Sequence, residues 1–120
     1  MLEQLRLIDL QEVYDCFGGN VAVVRKTITR VNEHFPAQWQ ELLESIESQN
    51  TQQIDVLAHR LAGTLLMVGA SGFSSYLRKM SHFARDGNVP KVEMMKDSER
   101  YYDTLIREMN LILTKLDDQH

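Results

Sequence analysis

His59 is the residue whose setting best suits chemistry, because it interrupts a helical pattern without joining its apolar face. Ile54, Leu57, Ala58, Leu61, Leu65 and Val68 recur at three- and four-residue spacing and form one stripe. At about 100° per residue that stripe sets an inward direction, and His59 points about 140° away from it. Gly63 lies at about 180°, Ala62 at about 80° and Leu66 at about 120°. The surface beside His59 is therefore expected to be bare at Gly63 and apolar at Leu66. Glycine inside a helix loses about 1 kcal/mol against alanine, so the position calls for a reason. Helix packing is one, but it would place Gly63 on the inner stripe; access by another molecule is the other. Histidine has an ordinary pKa of about 6.5 and is largely neutral near pH 7. A ring nitrogen can then attack phosphorus and form phosphohistidine without a separate general base. The bland alternative is a solvated surface histidine.

The remaining chain supplies helices to hold this surface. Asp9 to Phe17 fits a short first helix with Asp9 as cap, ended by Gly18-Gly19. Asn20 can cap a long helix with Val24, Ile28, Val31, Phe35, Trp39, Leu42 and Ile46 inward, continuing past a kink at Pro36. Thr51 can cap the helix that carries His59, and Gly69-Ala70-Ser71-Gly72 breaks it, with Ser71 a possible cap for the next. That next helix turns Phe73, Leu77, Met80 and Ala84 inward and closes at Asp86-Gly87. Asn88 can cap the last helix, with Pro90 in its first turn and Val92, Met95, Tyr102, Ile106, Met109 and Leu113 as inner stripe. Short links favour antiparallel neighbours. The expected fold is all-α: an antiparallel up-down four-helix bundle, core about 20–116, with a short additional N-terminal helix at about 9–17.

Bulk properties narrow the function classes. The 120 residues make one domain, 1–120, large enough to bury a core without disulfides or metal. Net charge is -4 with acids and bases interspersed, which argues against nucleic acid as main partner. The longest apolar runs, such as Leu65 to Ala70, are too short to span a bilayer, and Met1 to Leu10 lacks a signal-peptide pattern. Cys16, the one cysteine, has no internal disulfide partner and is expected as a small buried hydrophobe in a reducing, cytoplasmic setting. The six methionines read as core filler. His34 falls beside Phe35, His82 on the outer side of its helix and His120 at the end; none has the i, i+4 spacing of a helical metal site. No nucleotide-binding glycine loop or metal-ligand spacing is present, so no cofactor is expected.

Residues 58 to 70, Ala58-His59-Arg60-Leu61-Ala62-Gly63-Thr64-Leu65-Leu66-Met67-Val68-Gly69-Ala70, resemble the signature of histidine-phosphotransfer domains: Ala-His-x-Leu-Lys-Gly, a small residue, a short run, then Gly-Ala. The likeness runs from about Phe17 to Met109 through Gly18-Gly19-Asn20, Pro36, and Phe73 to Arg85 with its Gly87 turn. The resemblance implies a non-enzymatic phosphocarrier that relays phosphoryl groups between receiver-domain aspartates. It makes His59 the phosphorylated residue and Gly63 the gap admitting the receiver, with Ala62, Leu66 and Met67 completing the docking face. Its implied partners are response-regulator receivers and a sensor (hybrid) histidine kinase. The receiver supplies Mg²⁺ and its own aspartate, since this chemistry depends on positioning and charge neutralisation. A monomer is expected, and the Met1 start favours a free-standing protein over an excised domain.

One position departs from that signature: Ala62 stands where the family usually has lysine. A substitute cation is then needed. Arg60 is adjacent but about 100° around the helix. Counting about ten residues each way from the Gly69-Ala70 turn sets His59 level with Met80-Ser81, with Arg78 and Arg85 one turn to either side. Ser81, Arg78 or Arg85 is therefore expected to support the phosphate; their bland role is solvated surface. Two other function classes compete. A helical interaction module would use the same patch without phosphate, and an enzyme or cofactor bundle would need inward carboxylates or histidines, of which the inner stripes offer almost none.

Overall fold

The computed structural model describes residues 5–118. His120 and the first four residues, on which part of the leader and chain-start readings rests, lie outside the described residues. Five helices follow in order: α1 Leu10–Cys16, α2 Val21–Glu47, α3 Thr51–Met67, α4 Ser71–Arg85 and α5 Val92–Asp118. Among the described residues there is no strand, and no helix is long and apolar enough to cross a membrane.

Caps and turns explain most boundaries. The Asp9 carboxylate accepts the Glu12 N–H at 3.1 Å, and the Asn20 side chain accepts the Val23 N–H at 3.2 Å. The next cap is Asn50, not Thr51: its side chain accepts the Gln53 N–H at 3.1 Å, and Thr51 is already helical. Nor does Ser71 cap α4; it is the first helical residue, and Ala70 holds the cap position without a side-chain bond. α5 begins at Val92, so Asn88 and Pro90 lie in the connector before it. α2 continues through Pro36, with Phe35 and Trp39 both buried. Aromatic contacts join three helices there: Trp39 stacks on Tyr102 at 5.0 Å and meets Phe73 edge-on at 5.8 Å, centroid to centroid, and such pairs contribute about 0.5–1.5 kcal/mol each beyond their area.

α3 packs on α2 and α4, while α5 packs on α2 and α4. The α2, α3 and α4 stripes are buried as expected except at the end of α2, where Ile46 is half-buried and Ser45 lies inside; Val24, Ile28, Leu42, Ile54, Leu61, Leu65, Phe73 and Leu77 are essentially inaccessible. The α5 stripe keeps Met109 but is otherwise displaced from the expected one. Leu105, Met109, Ile112 and Leu116 face inward, with Ser98 and Glu108 beside them, whereas Val92 is 68% exposed. The cause is Glu108, whose buried carboxylate accepts the backbone N–H groups of Arg6, Leu7 and Ile8 at 2.8–3.2 Å. A charged residue on the inner face broke the apolar pattern that periodicity relies on. It is the one buried carboxylate among the described residues, in keeping with inner stripes that offer almost none.

Cys16 is exposed rather than buried. α1 is only seven residues long and turns Leu10 and Val13 inward, which leaves Cys16 at its outer end. Behind α1, the Asp9 N–H donates to the Gly69 carbonyl at 2.9 Å. Gly69 has φ +71, and a β-carbon there would come within 2.6 Å of the Asp9 oxygen. That glycine lets α1 close over the α3–α4 turn.

Candidate functional site

α3 presents His59 on an exposed helix face. Gly63 is exposed one turn later, and a β-carbon added to it would meet no atom within 4 Å. No packing among the described residues calls for a glycine at that position, so the gap faces outward. Leu66 and Met67 continue the same surface and are 44% and 52% exposed; Val56, 50% exposed, stands on the other side of His59. These are large apolar side chains left in water at one helix face.

Ala62 does not belong to this surface. It is 1% exposed, and its carbonyl accepts the Ser74 hydroxyl at 2.7 Å. α3 is covered on two flanks, by α2 and α4, so its buried face is wider than a single stripe. A residue about 80° from the stripe centre lies under α4.

A shallow concavity of about 460 Å³ opens beside His59, lined by Asp55, Val56, His59, Arg60 and Arg85. Two of the expected cations, Arg60 and Arg85, thus border the histidine. Arg78 is exposed elsewhere on α4 and does not line the concavity. Ser81 is 1% exposed and lies beside Asp55 rather than His59. Its hydroxyl donates to the Asp55 carboxylate and sits 3.2 Å from the Asp55 carbonyl oxygen. The pairs Ala62–Ser74 and Asp55–Ser81 put the helix register one turn away from the one counted out from Gly69-Ala70. The turn is centred earlier, near Val68, where the Ala70 N–H already bonds the Leu65 carbonyl at 2.9 Å.

Asp55 and the exposed Val56 are the site residues that sequence reasoning missed, and Asp55 is the one that bears charge. It precedes His59 by four residues, the spacing that makes two side chains neighbours on a helix. Arg85 grips its carboxylate with a two-pronged contact, Nε to Oδ2 at 3.2 Å and Nη2 to Oδ1 at 3.3 Å. The Asp55 side chain is 22% exposed and that of Arg85 55%. The Arg85 hydrogen bonds, then that of Ser81, hold the Asp55 carboxyl below the ordinary carboxylate range; burial opposes them, and the charges of Arg85 and His59 add to them. The same contact raises Arg85 further above its usual value. Each of the two charges is therefore stabilised chiefly by the other. The signal available in the sequence was the Asp55/His59 spacing, but an acid on a helix flank reads as solvated surface unless its partner on α4 is known.

Among the described residues, no cluster of histidine, cysteine, aspartate or glutamate could hold a metal ion. Compared with protein-family models, with curated proteins and with solved structures, the chain finds no match in any of the three.

Proposed function

We propose that this chain is a phosphocarrier of the histidine-phosphotransfer type, an antiparallel four-helix bundle that holds a phosphoryl group on His59. The observation that carries the reading is the exposed His59 beside a glycine that no internal contact requires, with Arg60 and Arg85 bordering the same concavity. The opposed residue orders of Ala62–Ser74 and Asp55–Ser81, and of Arg25–Leu116 and Asn32–Asn110, support the antiparallel arrangement.

The chemistry follows from the groups present. A neutral ring nitrogen of His59 attacks the phosphorus of an aspartyl phosphate on a receiver. The new P–N bond forms as the P–O bond breaks, and the bonding pair leaves with the receiver's carboxylate. The reverse step delivers the group to a second receiver. Arg60 and Arg85 offset part of the two negative charges that arrive. Gly63, Leu66, Met67 and Val56 form the contact face, where a missing side chain lets the partner backbone approach and the apolar neighbours gain from burial. The divalent cation is expected on the receiver.

The test is transfer from a phosphorylated receiver, read as acid-labile, base-stable label on wild type and on His59→Gln. Label on wild type alone supports the reading; equal label on both, or none on wild type with any receiver, refutes it. In the latter case the exposed Val56, Leu66 and Met67 favour the second reading, a helical module that binds receiver or kinase domains without accepting phosphate.

A further inference from the structure

Four ionisable or basic side chains share the concavity beside His59: one carboxylate, two guanidinium groups and the imidazole itself. The carboxylate of Asp55 already occupies Nε and Nη2 of Arg85. We propose that Asp55 is a positioning residue that anchors Arg85 beside His59 and, by drawing on its charge, limits how strongly the site retains a phosphoryl group. This rests on the phosphocarrier reading and names the regulation of that same site.

Charge counting gives the proposal its signs. In the resting site Asp55 and Arg85 cancel, and Arg60 leaves one positive charge. A phosphoryl group brings up to two negative charges, so the loaded site carries a net charge of about -1. Removing the Asp55 carboxylate frees Arg85 and brings the loaded site near neutrality. Removing the Arg85 cation leaves Asp55 facing the phosphoryl group uncompensated. Removing both restores the wild-type balance. A relay intermediate has use for such a brake, because a fully neutralised phosphohistidine would be held rather than passed on. Ser81 fixes the carboxylate from the buried side, which prevents Asp55 from turning away when the phosphoryl group arrives.

The experiment compares wild type, Asp55→Asn, Arg85→Ala and the double variant, with His59→Gln as control and a thermal melt to show that each is folded. Each is loaded from inorganic phosphoramidate, in which the His59–phosphorus bond forms as the donor's P–N bond breaks and ammonia leaves. Each is also equilibrated with an isolated phosphorylated receiver domain. Expected phosphohistidine lifetime and equilibrium share rise about threefold in Asp55→Asn and fall about threefold in Arg85→Ala, within the range of exposed charge pairs. The double variant returns to the wild-type level. All differences shrink at about 1 M salt, where the screening length is about 3 Å. A double variant as low as Arg85→Ala alone, or an unchanged Asp55→Asn, overturns the proposal while leaving the relay reading intact. Loading of wild type by phosphoramidate but by no receiver removes the relay reading, and the order of the variants then still decides this one. Equal label on His59→Gln removes both.

Discussion

Replacing Gly63 by alanine separates the two properties that this position trades against each other. Gly63 lies inside α3, away from both ends, and its added β-carbon meets nothing within 4 Å. The substitution therefore brings helix propensity without a clash, a gain of about 1 kcal/mol. Unfolding entropy is about 2.1 cal/mol/K per residue, or about 0.25 kcal/mol/K for a chain of this length, so Tm should rise by about 4 °C. On the proposed phosphocarrier reading the same methyl group stands in the receiver's approach, and a displacement of about 1 Å at a reacting centre can slow transfer about a hundredfold. Transfer from a phosphorylated receiver should then fall by about tenfold or more, within the same bound. Loading by phosphoramidate, a donor too small to touch residue 63, should stay unchanged. Two assays suffice: a thermal melt, and label transfer from each donor in parallel. A lower Tm refutes the outward placement of Gly63. A higher Tm with undiminished receiver transfer refutes its role as a docking gap.

Glu108→Ala leaves the Arg6, Leu7 and Ile8 amides without their carboxylate acceptor; the expected loss is about 2–3 kcal/mol, with faster hydrogen exchange at those three amides and phosphohistidine formation preserved. Gly69→Ala forces a β-carbon to within 2.6 Å of the Asp9 oxygen at φ +71, and denaturant unfolding should register a loss of about 3 kcal/mol, the upper range for such strain. Leu66→Ser should change stability by no more than about 0.5 kcal/mol, yet lower transfer from the receiver and leave phosphoramidate loading alone. Asp55 has its carboxyl pKa lowered from the ordinary 3.8, so its stabilisation is complete above that value and is lost as pH falls through the lowered one. The Tm advantage of wild type over Asp55→Asn should accordingly be level at neutral and mildly acid pH and close below about pH 4; a gap that widens toward acid contradicts the Arg85–Asp55 contact.

Legibility in the sequence followed how far each element obeys its own period. α2, α3 and α4 turn nearly all the expected apolar residues inward, because their buried polar residues, Ser45, Ser74 and Ser81, are small and flank the apolar stripe without interrupting it. α5 does not, since Ser98 and Glu108 are buried there for hydrogen bonding, and the apparent stripe moved onto half-buried Met95, Tyr102, Ile106 and Leu113. Caps shifted by one residue at both links: at Asn50 because two cap-forming types, Asn50 and Thr51, stand together, and at Ala70 because α4 starts without a side-chain cap. Ala62 was misplaced for a different reason: a helix wheel centred on one stripe cannot show that a second neighbour covers the adjacent flank.

The site itself was half legible, and the missing half changes how the departure at Ala62 is understood. On the proposed phosphocarrier reading, the missing lysine leaves open which cation stands in for it, and Arg85 is the candidate by position because it lines the same concavity as His59. The structure adds that Arg85 arrives already engaged by Asp55, so what borders His59 is an ion pair plus Arg60 rather than a free cation. A flexible lysine on α3 could follow the phosphoryl group as it comes and goes. An arginine clamped by a carboxylate that Ser81 fixes from below keeps its place with less rotamer entropy left to lose. The same clamp also limits how much of the arginine's charge the phosphoryl group can claim. Preorganisation and restraint therefore come from one contact. Of the residues near His59, Asp55 is the one whose substitution should raise phosphoryl retention rather than lower it.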